Sequence, residues 1–167
     1  MNKKYELIMH DTYHIFEHLL YRIRACRNFG NVKAGELGGF IGSEKNLDHI
    51  GDCWVSGDAS VHLNAQVSGN ARVSGNARIF GNAKIYGDAQ VGGNACVYGH
   101  AQVFGSAYIW DEAWVFGRAQ IFGNARVFGK HRVDGEPKLD HGIWNRVIEI
   151  ANKYYIVSTT LRKVLLR

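Results

Sequence analysis

The sequence predicts an all-β solenoid in which short parallel strands stack from coil to coil. Fourteen six-residue units follow one another from Val55 to Lys138 without an insertion or a deletion. The first position of every unit is Val or Ile, and the fifth is Ala in twelve successive units, from Ala59 to Ala125. A repeat this short cannot bury an apolar face alone, so the units have to stack on one another.

Each unit predicts one short strand and one corner. In Ala71-Arg72-Val73-Ser74, apolar and polar residues alternate with the period of two that is typical of a half-buried strand. Gly-Asn pairs such as Gly75-Asn76 separate the strands, and both residue types tolerate the positive φ of a sharp corner. Twelve of the fourteen units have a glycine at the third position, and each such glycine would disfavour a helix by about 1 kcal/mol. Three such strands per turn would give a coil of 18 residues with a triangular section.

The segments on either side of the repeats are expected to close the two ends of the solenoid. Residues 1–36 do not follow the repeat, and the apolar residues on both sides of Glu17-His18 favour a hairpin. The repeat region is placed at 37–138, and Pro137 breaks the pattern near its end. Residues 139–167 favour strands around a turn. Open solenoid ends expose unpaired backbone groups, so both flanking segments are expected to be small β caps.

The repeats and their flanks resemble a known family. The Val/Ile-x-Gly-Asn-Ala-x unit is similar to the hexapeptide repeats of left-handed parallel β-helices, and this resemblance implies a left-handed coil. Flanking segments such as Phe29-Gly30-Asn31-Val32 and Gly51-Asp52-Cys53-Trp54 resemble YdcK-like hexapeptide proteins and their shortened relatives in phages and prophages. The family implies no assigned activity. The common acyltransferase hexapeptide has its glycine directly after the aliphatic residue, one place earlier than in this chain.

The charge distribution disfavours nucleic acid as a partner. The formal net charge is +5, and no Lys/Arg run reaches the length of a basic tract. Arg72 and Arg126 would share one column on the solenoid surface, but Gln90 and Tyr108 lie between them. A broken basic stripe is a poor track for a phosphate backbone.

Cysteine usage and the N-terminal residues predict a protein of the reducing cytoplasm, in a bacterial host if the phage-like resemblance applies. Three cysteines cannot form a paired framework. Cys53 occupies an Ala position and is expected to be buried, whereas Cys96 is expected to point outward. The first residues lack the apolar region of a signal peptide, and no apolar run approaches a membrane span, so we expect no membrane contact.

Outward-facing aromatic residues are expected to stack in columns along the second half of the solenoid. Residues 18 positions apart share a column, and the earlier coils have Ser or His at these positions. The expected columns are Phe80, Tyr98 and Phe116, then Tyr86, Phe104 and Phe122, then Trp110 and Phe128. Aromatic ladders stabilise stacking by roughly 0.2–1 kcal/mol per pair. Exposed apolar surface also marks interfaces, so a structural role and a binding role both stay open.

The densest aromatic segment surrounds an acidic corner. Asp111 and Glu112 replace the usual Gly-Asn pair there. Aromatic residues flank this corner on both sides: Tyr108, Trp110, Trp114 and Phe116. An acidic corner between aromatic walls could bind a cationic side chain or anchor a partner. The alternative is a corner substitution without a functional role.

The leading functional hypothesis is a non-enzymatic binding protein of phage or prophage type. It would bind a host or phage macromolecule, or itself, through the aromatic columns, and the phage-like resemblance adds inhibition of a host defence system. The alternative is an acyl-CoA-dependent acyltransferase with His100 or His62 as the general base. Hexapeptide acyltransferases place that histidine beside a loop that leaves the coil, and no loop interrupts 55–138. We expect no metal site and no other cofactor, because the histidine spacing does not fit zinc.

Overall fold

The protein is a parallel β-solenoid whose coils each contain three strands. The computed structural model describes residues 3–140 and the strands at Ile143–Ile150 and Lys153–Ser158. Residues 18 positions apart are paired in parallel, so that Val73 lies beside Val55 in one coil and Val91 in the next. The predicted all-β fold and the predicted coil length are therefore confirmed. The left-handed sense of the coil stays a prediction of the resemblance.

The described strands differ in length between the ends and the repeats. At the N-terminal end, β1 (Tyr5–Ile15) and β2 (His18–Ala25) form an antiparallel hairpin, and β3 (Leu37–Ile41) follows. A 3₁₀ turn at Glu44–Asn46 precedes the regular repeats. The repeat strands have two residues each: β4 (Trp54–Val55), β5 (Ser60–Val61), β6 (Gln66–Val67), β7 (Arg72–Val73), β8 (Arg78–Ile79), β9 (Lys84–Ile85), β10 (Gln90–Val91), β11 (Cys96–Val97), β12 (Gln102–Val103), β13 (Tyr108–Ile109), β14 (Trp114–Val115), β15 (Gln120–Ile121), β16 (Arg126–Val127), β17 (Arg132–Val133) and β18 (Lys138–Leu139). Two longer strands, β19 (Ile143–Ile150) and β20 (Lys153–Ser158), form a second antiparallel hairpin.

The strands form three sheets, one for each side of the coil. Sheet 1 has the order β1-β2-β3-β5-β8-β11-β14-β17, sheet 2 has the order β4-β7-β10-β13-β16-β19-β20, and sheet 3 has the order β6-β9-β12-β15-β18. The first hairpin extends sheet 1 through the antiparallel pairing of β2 with β3. The second hairpin extends sheet 2 from β16. A hairpin thus lies within each predicted cap segment. Within the described residues, the structure contains no helix with the length and hydrophobicity of a membrane span.

The core is a thin column of small and β-branched side chains. Every repeat alanine from Ala59 to Ala125, and every repeat Val or Ile from Val55 to Val133, is at most 1% exposed. These two positions alternate with outward residues along each short strand, as the period-two pattern predicts. Cys53 takes an Ala position and is fully buried, which confirms the prediction.

Cys96 is buried as well, although it faces outward as predicted. It lies on the outward side of β11, but only 2% of it is exposed. Its partners on the two flanking strands are Arg78 and Trp114, whose larger side chains shield the thiol. Burial also raises the pKa of the Cys96 thiol.

The corners are hydrogen-bonded from coil to coil just as the strands are. The backbone N–H of Asn82 donates to the carbonyl of Gly99, with a distance of 2.7 Å. Side-chain amides form a second ladder, in which Asn64 Nδ2 lies 3.2 Å from Asn82 Oδ1 and Asn76 Nδ2 lies 3.0 Å from Asn94 Oδ1. The coil is therefore continuous around its section, because corner backbone groups also find partners.

The N-terminal segment closes the first coil with a buried lysine. Lys4 is fully buried, and its ammonium donates to the carbonyl oxygens of Cys53 at 3.0 Å and Gly51 at 3.4 Å. The Tyr5 hydroxyl donates to the carbonyl of Leu47 at 2.6 Å. These bonds satisfy carbonyls at the solenoid end, which is the role expected of a cap.

Candidate functional site

Aromatic rings stack face to face in two of the three predicted columns. In the first column the ring centroids are 4.9 Å apart and the planes within 2° of parallel; in the second they are 4.8–5.0 Å apart and within 6°. The first column contains Phe80, Tyr98 and Phe116, and the second contains Tyr86, Phe104 and Phe122. All six residues are half-buried, because each ring covers the faces of its neighbours. The stacked columns therefore stabilise the coil-to-coil contact directly.

The third predicted column has a different geometry. Trp110 stacks on Tyr108 within its own coil, with the ring centroids 5.2 Å apart and the planes 10° from parallel. The indole also extends over Gly92 in the preceding coil. The three aromatic sets follow the strands of three different sheets. They consequently do not merge into one continuous aromatic face.

The two carboxylates of the acidic corner already have partners within the chain. Asp111 has a φ of +58° at a position that is glycine in the coils on either side. Its Oδ2 accepts a hydrogen bond from the backbone N–H of Gly129 at 3.1 Å. Glu112 forms an ion pair with Lys130, with 3.7 Å between the charged atoms. The cation beside this corner is therefore one of the chain's own.

One group of residues on the outer surface of sheet 1 combines aromatic rings with an arginine that has no carboxylate at ion-pair distance within residues 3–140. The guanidinium of Arg132 lies 4.9 Å from the ring centroid of Trp114 and 5.5 Å from that of Phe116. Tyr98 approaches Trp114 edge-on, with the centroids 6.2 Å apart. Trp114 and Arg132 are direct partners on β14 and β17. We call these four residues the Trp114–Arg132 cluster.

Ion pairs border the cluster on both sides. Glu112 and Lys130 occupy the corner before its strands, and Arg118 and Glu136, 3.4 Å apart, occupy the corner after them. Both pairs are solvent-exposed, so each adds little to stability. The arrangement places an aromatic and cationic centre inside a charged, hydrated rim.

Several cations of the repeat region have no acidic partner among residues 3–140. Within residues 3–140, no carboxylate lies at ion-pair distance from Arg78, Lys84, Arg126, Arg132 or Lys138. The acidic residues of the same region that form ion pairs use other cations. Within residues 3–140, these five cations therefore contribute positive charge to the solenoid surface that no carboxylate of that region neutralises by an ion pair.

Comparison with known families agrees with the geometry of the repeats. Residues 65–79, 77–93 and 119–135 match the family model described as YdcK Beta solenoid repeat. The chain carries YdcK-type solenoid repeats. The matches cover well under half of the chain, and they confirm the resemblance for the repeat itself, while a phage-type origin stays a prediction. No curated protein gives a significant match to the sequence.

The two candidate histidines occupy separate places in the YdcK-type coils. His62 is 5% exposed and stacks on Phe80, with 5.4 Å between centroids. Burial, followed by the nearby charges of His18 and Arg78, lowers the pKa of His62 to about 4. Its Nδ1 is buried and has no hydrogen-bond partner among the described residues. His100 is exposed at a corner, where its backbone N–H donates to the carbonyl of Gly117 at 2.7 Å.

Sequence reasoning missed two features of the surface. Arg132 was not among the predicted site residues, although its position 18 residues after Trp114 places it directly beside that ring once the YdcK-type coil length is known.

The tip of the first hairpin was also missed. Phe16 is 96% exposed there and has a φ of +52°, and Tyr13 is 50% exposed nearby on β1. Their exposure depends on how the hairpin projects from the coils, which the repeat pattern does not describe.

Proposed function

We propose that the protein is a non-enzymatic binding module that docks an acidic segment of a partner protein on the Trp114–Arg132 cluster. The observation that carries this proposal is the contact of the Arg132 guanidinium with the Trp114 ring, 4.9 Å from its centroid, on an outer sheet surface. The phage-like resemblance of the flanks extends the proposal to a partner from the cytoplasm of a bacterial host, including a component of a defence system.

The residue types of the cluster support a binding role. Tryptophan, tyrosine and arginine are the side chains that most often dominate the energy of protein interfaces. Trp114 is held between the edge of Tyr98 and the guanidinium of Arg132, so both large side chains have lost part of their freedom before a partner arrives. Such preorganisation reduces the entropy that association would otherwise remove. When a partner binds, the surrounding ion pairs would form a rim that keeps water away from the Trp114–Arg132 cluster.

The charge around the cluster selects an acidic partner. Arg132 has no carboxylate at ion-pair distance among residues 3–140, and a partner carboxylate could bind it while it remains over the ring. The net charge of +5 would also steer a negatively charged segment toward the solenoid. The neighbouring Glu112 and Glu136 are already engaged with Lys130 and Arg118, which limits their repulsion of that segment. Asp134, two residues after Arg132, accepts a hydrogen bond from the backbone N–H of Gly135 at 2.6 Å and remains a negative charge beside the cluster.

The acyltransferase alternative receives less support from the geometry. His62 is covered by Phe80 and is uncharged at neutral pH, but its buried position keeps it away from a substrate in solution. His100 lies at an exposed corner of an uninterrupted coil. A general base needs hydrogen-bond reach of the proton it removes, in a site that orients the substrate. Neither histidine occupies such a site within the described chain.

A binding experiment with defined peptides tests the proposal. Labelled peptides that alternate Asp or Glu with Leu or Phe would be titrated by fluorescence anisotropy, beside peptides of the same pattern with Lys as the charged residue. We expect only the acidic peptides to bind. Trp114→Ser and Arg132→Gln should each weaken that binding by roughly tenfold or more. Gln120→Ala, on sheet 3 of the same YdcK-type coils, should leave it unchanged.

Four outcomes would contradict the proposal. Equal binding of acidic and basic peptides would show that the surface does not select by charge. Binding that is insensitive to Trp114→Ser and Arg132→Gln would place the site elsewhere. Tighter binding of a single-stranded oligonucleotide, with loss in Arg132→Gln, would identify a nucleic-acid surface. Light scattering completes the test, because an oligomer that Trp114→Ser dissociates would assign the cluster to self-association.

A further inference from the structure

We infer that a second site, a groove at the N-terminal end of sheet 1, binds an acidic saccharide. The groove has a volume of about 520 Å³ and lies between the first hairpin and the outer surface of the first coils. Its walls are formed by Tyr13, Phe40, Asp58, Ser60, Asn76, Arg78 and Asn94. This volume is within the range of small-molecule sites. The site shares no residue with the Trp114–Arg132 cluster.

An aromatic platform forms one end of the groove. The Tyr13 ring packs against Phe40, with 5.4 Å between centroids, and half of Tyr13 remains exposed. Arg22 covers Phe40 from another direction at 4.2 Å and forms ion pairs with Asp11 and Asp58. The hairpin therefore holds Tyr13 in place with one exposed surface. The apolar face of a sugar ring packs well against such a surface, because its C–H groups meet the negative face of the aromatic ring.

Ordered amides form the wall of the groove. Asn76 Nδ2 donates to Asn94 Oδ1 at 3.0 Å, so the two amides share one orientation. This bond leaves the Asn94 amino group and the Asn76 carbonyl oxygen without a partner among the described residues. Both atoms could therefore bond to sugar hydroxyls, which donate and accept together. Ser60 adds a small side chain between the larger Phe40 and Arg78, its partners on neighbouring strands.

Arg78 gives the groove its charge preference. No carboxylate within residues 3–140 lies at ion-pair distance from Arg78, whereas Asp58 is already paired with Arg22 at 3.5 Å. The one unpaired charge in the groove is thus positive, and arginine binds a carboxylate with two parallel hydrogen bonds. Phe40, Ser60 and Arg78 lie on successive strands, so platform and cation are separated by two ladder steps, or roughly 10 Å. This length suits a disaccharide with a carboxylate at one end.

The test compares an acidic disaccharide with its neutral counterpart. Galacturonic acid and galactose disaccharides would be titrated by calorimetry and by saturation-transfer NMR. We expect the acidic sugar to bind, and we expect Arg78→Gln to lower its affinity roughly tenfold, which is the effect of losing a hydrogen bond to a charged group. Tyr13→Ala should lower the affinity for both sugars, because the aromatic platform contacts the sugar ring rather than the carboxylate. The matched control Lys84→Gln removes an unpaired cation from sheet 3 and should change neither affinity.

Other results would overturn the inference. If neither sugar binds at millimolar concentration, the groove is not a saccharide site. If Lys84→Gln lowers the affinity for the acidic sugar as much as Arg78→Gln does, the attraction comes from net charge alone. If inorganic phosphate displaces the sugar with equal affinity, the site recognises an anion without a ring. Trp114→Ser should retain saccharide binding, so this site and the proposed protein site succeed or fail separately.

Discussion

The indole of Trp110 lies directly over the backbone of Gly92 in the preceding coil. A Cβ atom at residue 92 would come within 2.0 Å of a ring carbon of Trp110. The absence of a side chain at residue 92 therefore allows the indole to fold back and stack on Tyr108 at 5.2 Å. A residue in one coil thus decides the direction of an aromatic side chain 18 positions later.

Gly92→Val should displace Trp110 and destabilise the protein by about 1–3 kcal/mol, the usual cost of overpacking. The measurement is urea unfolding, with tryptophan emission as a second readout of the displaced indole. Ser74→Val is the matched control, because Ser74 occupies the same column one coil earlier and faces Gly92, which has no side chain. It should change stability by less than about 0.5 kcal/mol. Equal losses in both variants would show that the indole does not need the space over Gly92.

Two corner glycines allow the cost of backbone strain to be measured apart from the cost of disturbing the contact between coils. Gly105 and Gly135 both have a positive φ, +67° and +85°. A Cβ at Gly105 would lie 2.9 Å from the backbone N of Gly123, whereas at Gly135 the nearest atom, in Pro137, is 4.0 Å away. Gly135→Ala should therefore cost only the strain, about 1–2 kcal/mol, and Gly105→Ala should cost clearly more. Thermal unfolding of both variants checks this order, and a reversed order would contradict the stacking of the corners.

The buried histidine should make stability depend on pH in the acid range. The pKa of His62 in the folded state is about 4, below its ordinary value of 6.5. Between these values the unfolded chain binds a proton that the folded chain does not. The free energy of unfolding therefore has its full value above pH 6.5 and decreases as pH falls toward 4. The loss amounts to about 3 kcal/mol.

His62→Phe provides the measurement for this pH dependence. The new ring should stack on Phe80 as His62 does at 5.4 Å, and it cannot be protonated. We expect the variant to gain stability over the parent progressively from pH 6.5 to pH 4 in urea unfolding. A difference between parent and variant that is constant over this range would show that His62 titrates normally.

Thiol chemistry should distinguish one cysteine from the other two. Cys26 is exposed, whereas Cys53 and Cys96 are buried, so only Cys26 is open to a reagent in solution. A thiol reagent should therefore modify one cysteine in the native protein and all three after denaturation. Peptide mapping of the native product should find the label on Cys26. Early labelling of Cys96 would contradict the shielding by Arg78 and Trp114.

The candidate site was predictable in part. The spacing of 18 residues predicted the stacks from Phe80 to Phe116 and from Tyr86 to Phe122, because identical coils place equivalent side chains above one another. It did not predict that Trp110 turns onto Tyr108, since that direction depends on Gly92. It did not predict that Cys96 is buried, because alternation along a strand tells which side a residue faces but not how large its neighbours on adjacent strands are.

The sequence by itself determined the solenoid, its coil length and its core. A strict period of six admits few ways to bury Val, Ile and Ala, and stacking supplies the apolar contact that a single unit lacks. Only the tertiary structure decided which side chains are free to bind. The Arg132 contact with Trp114, the internal pairing of Glu112 and the position of Tyr13 over Phe40 each join residues that are distant in sequence. Their exposure and charge depend on neighbouring coils and on the projecting hairpin, which local patterns do not encode.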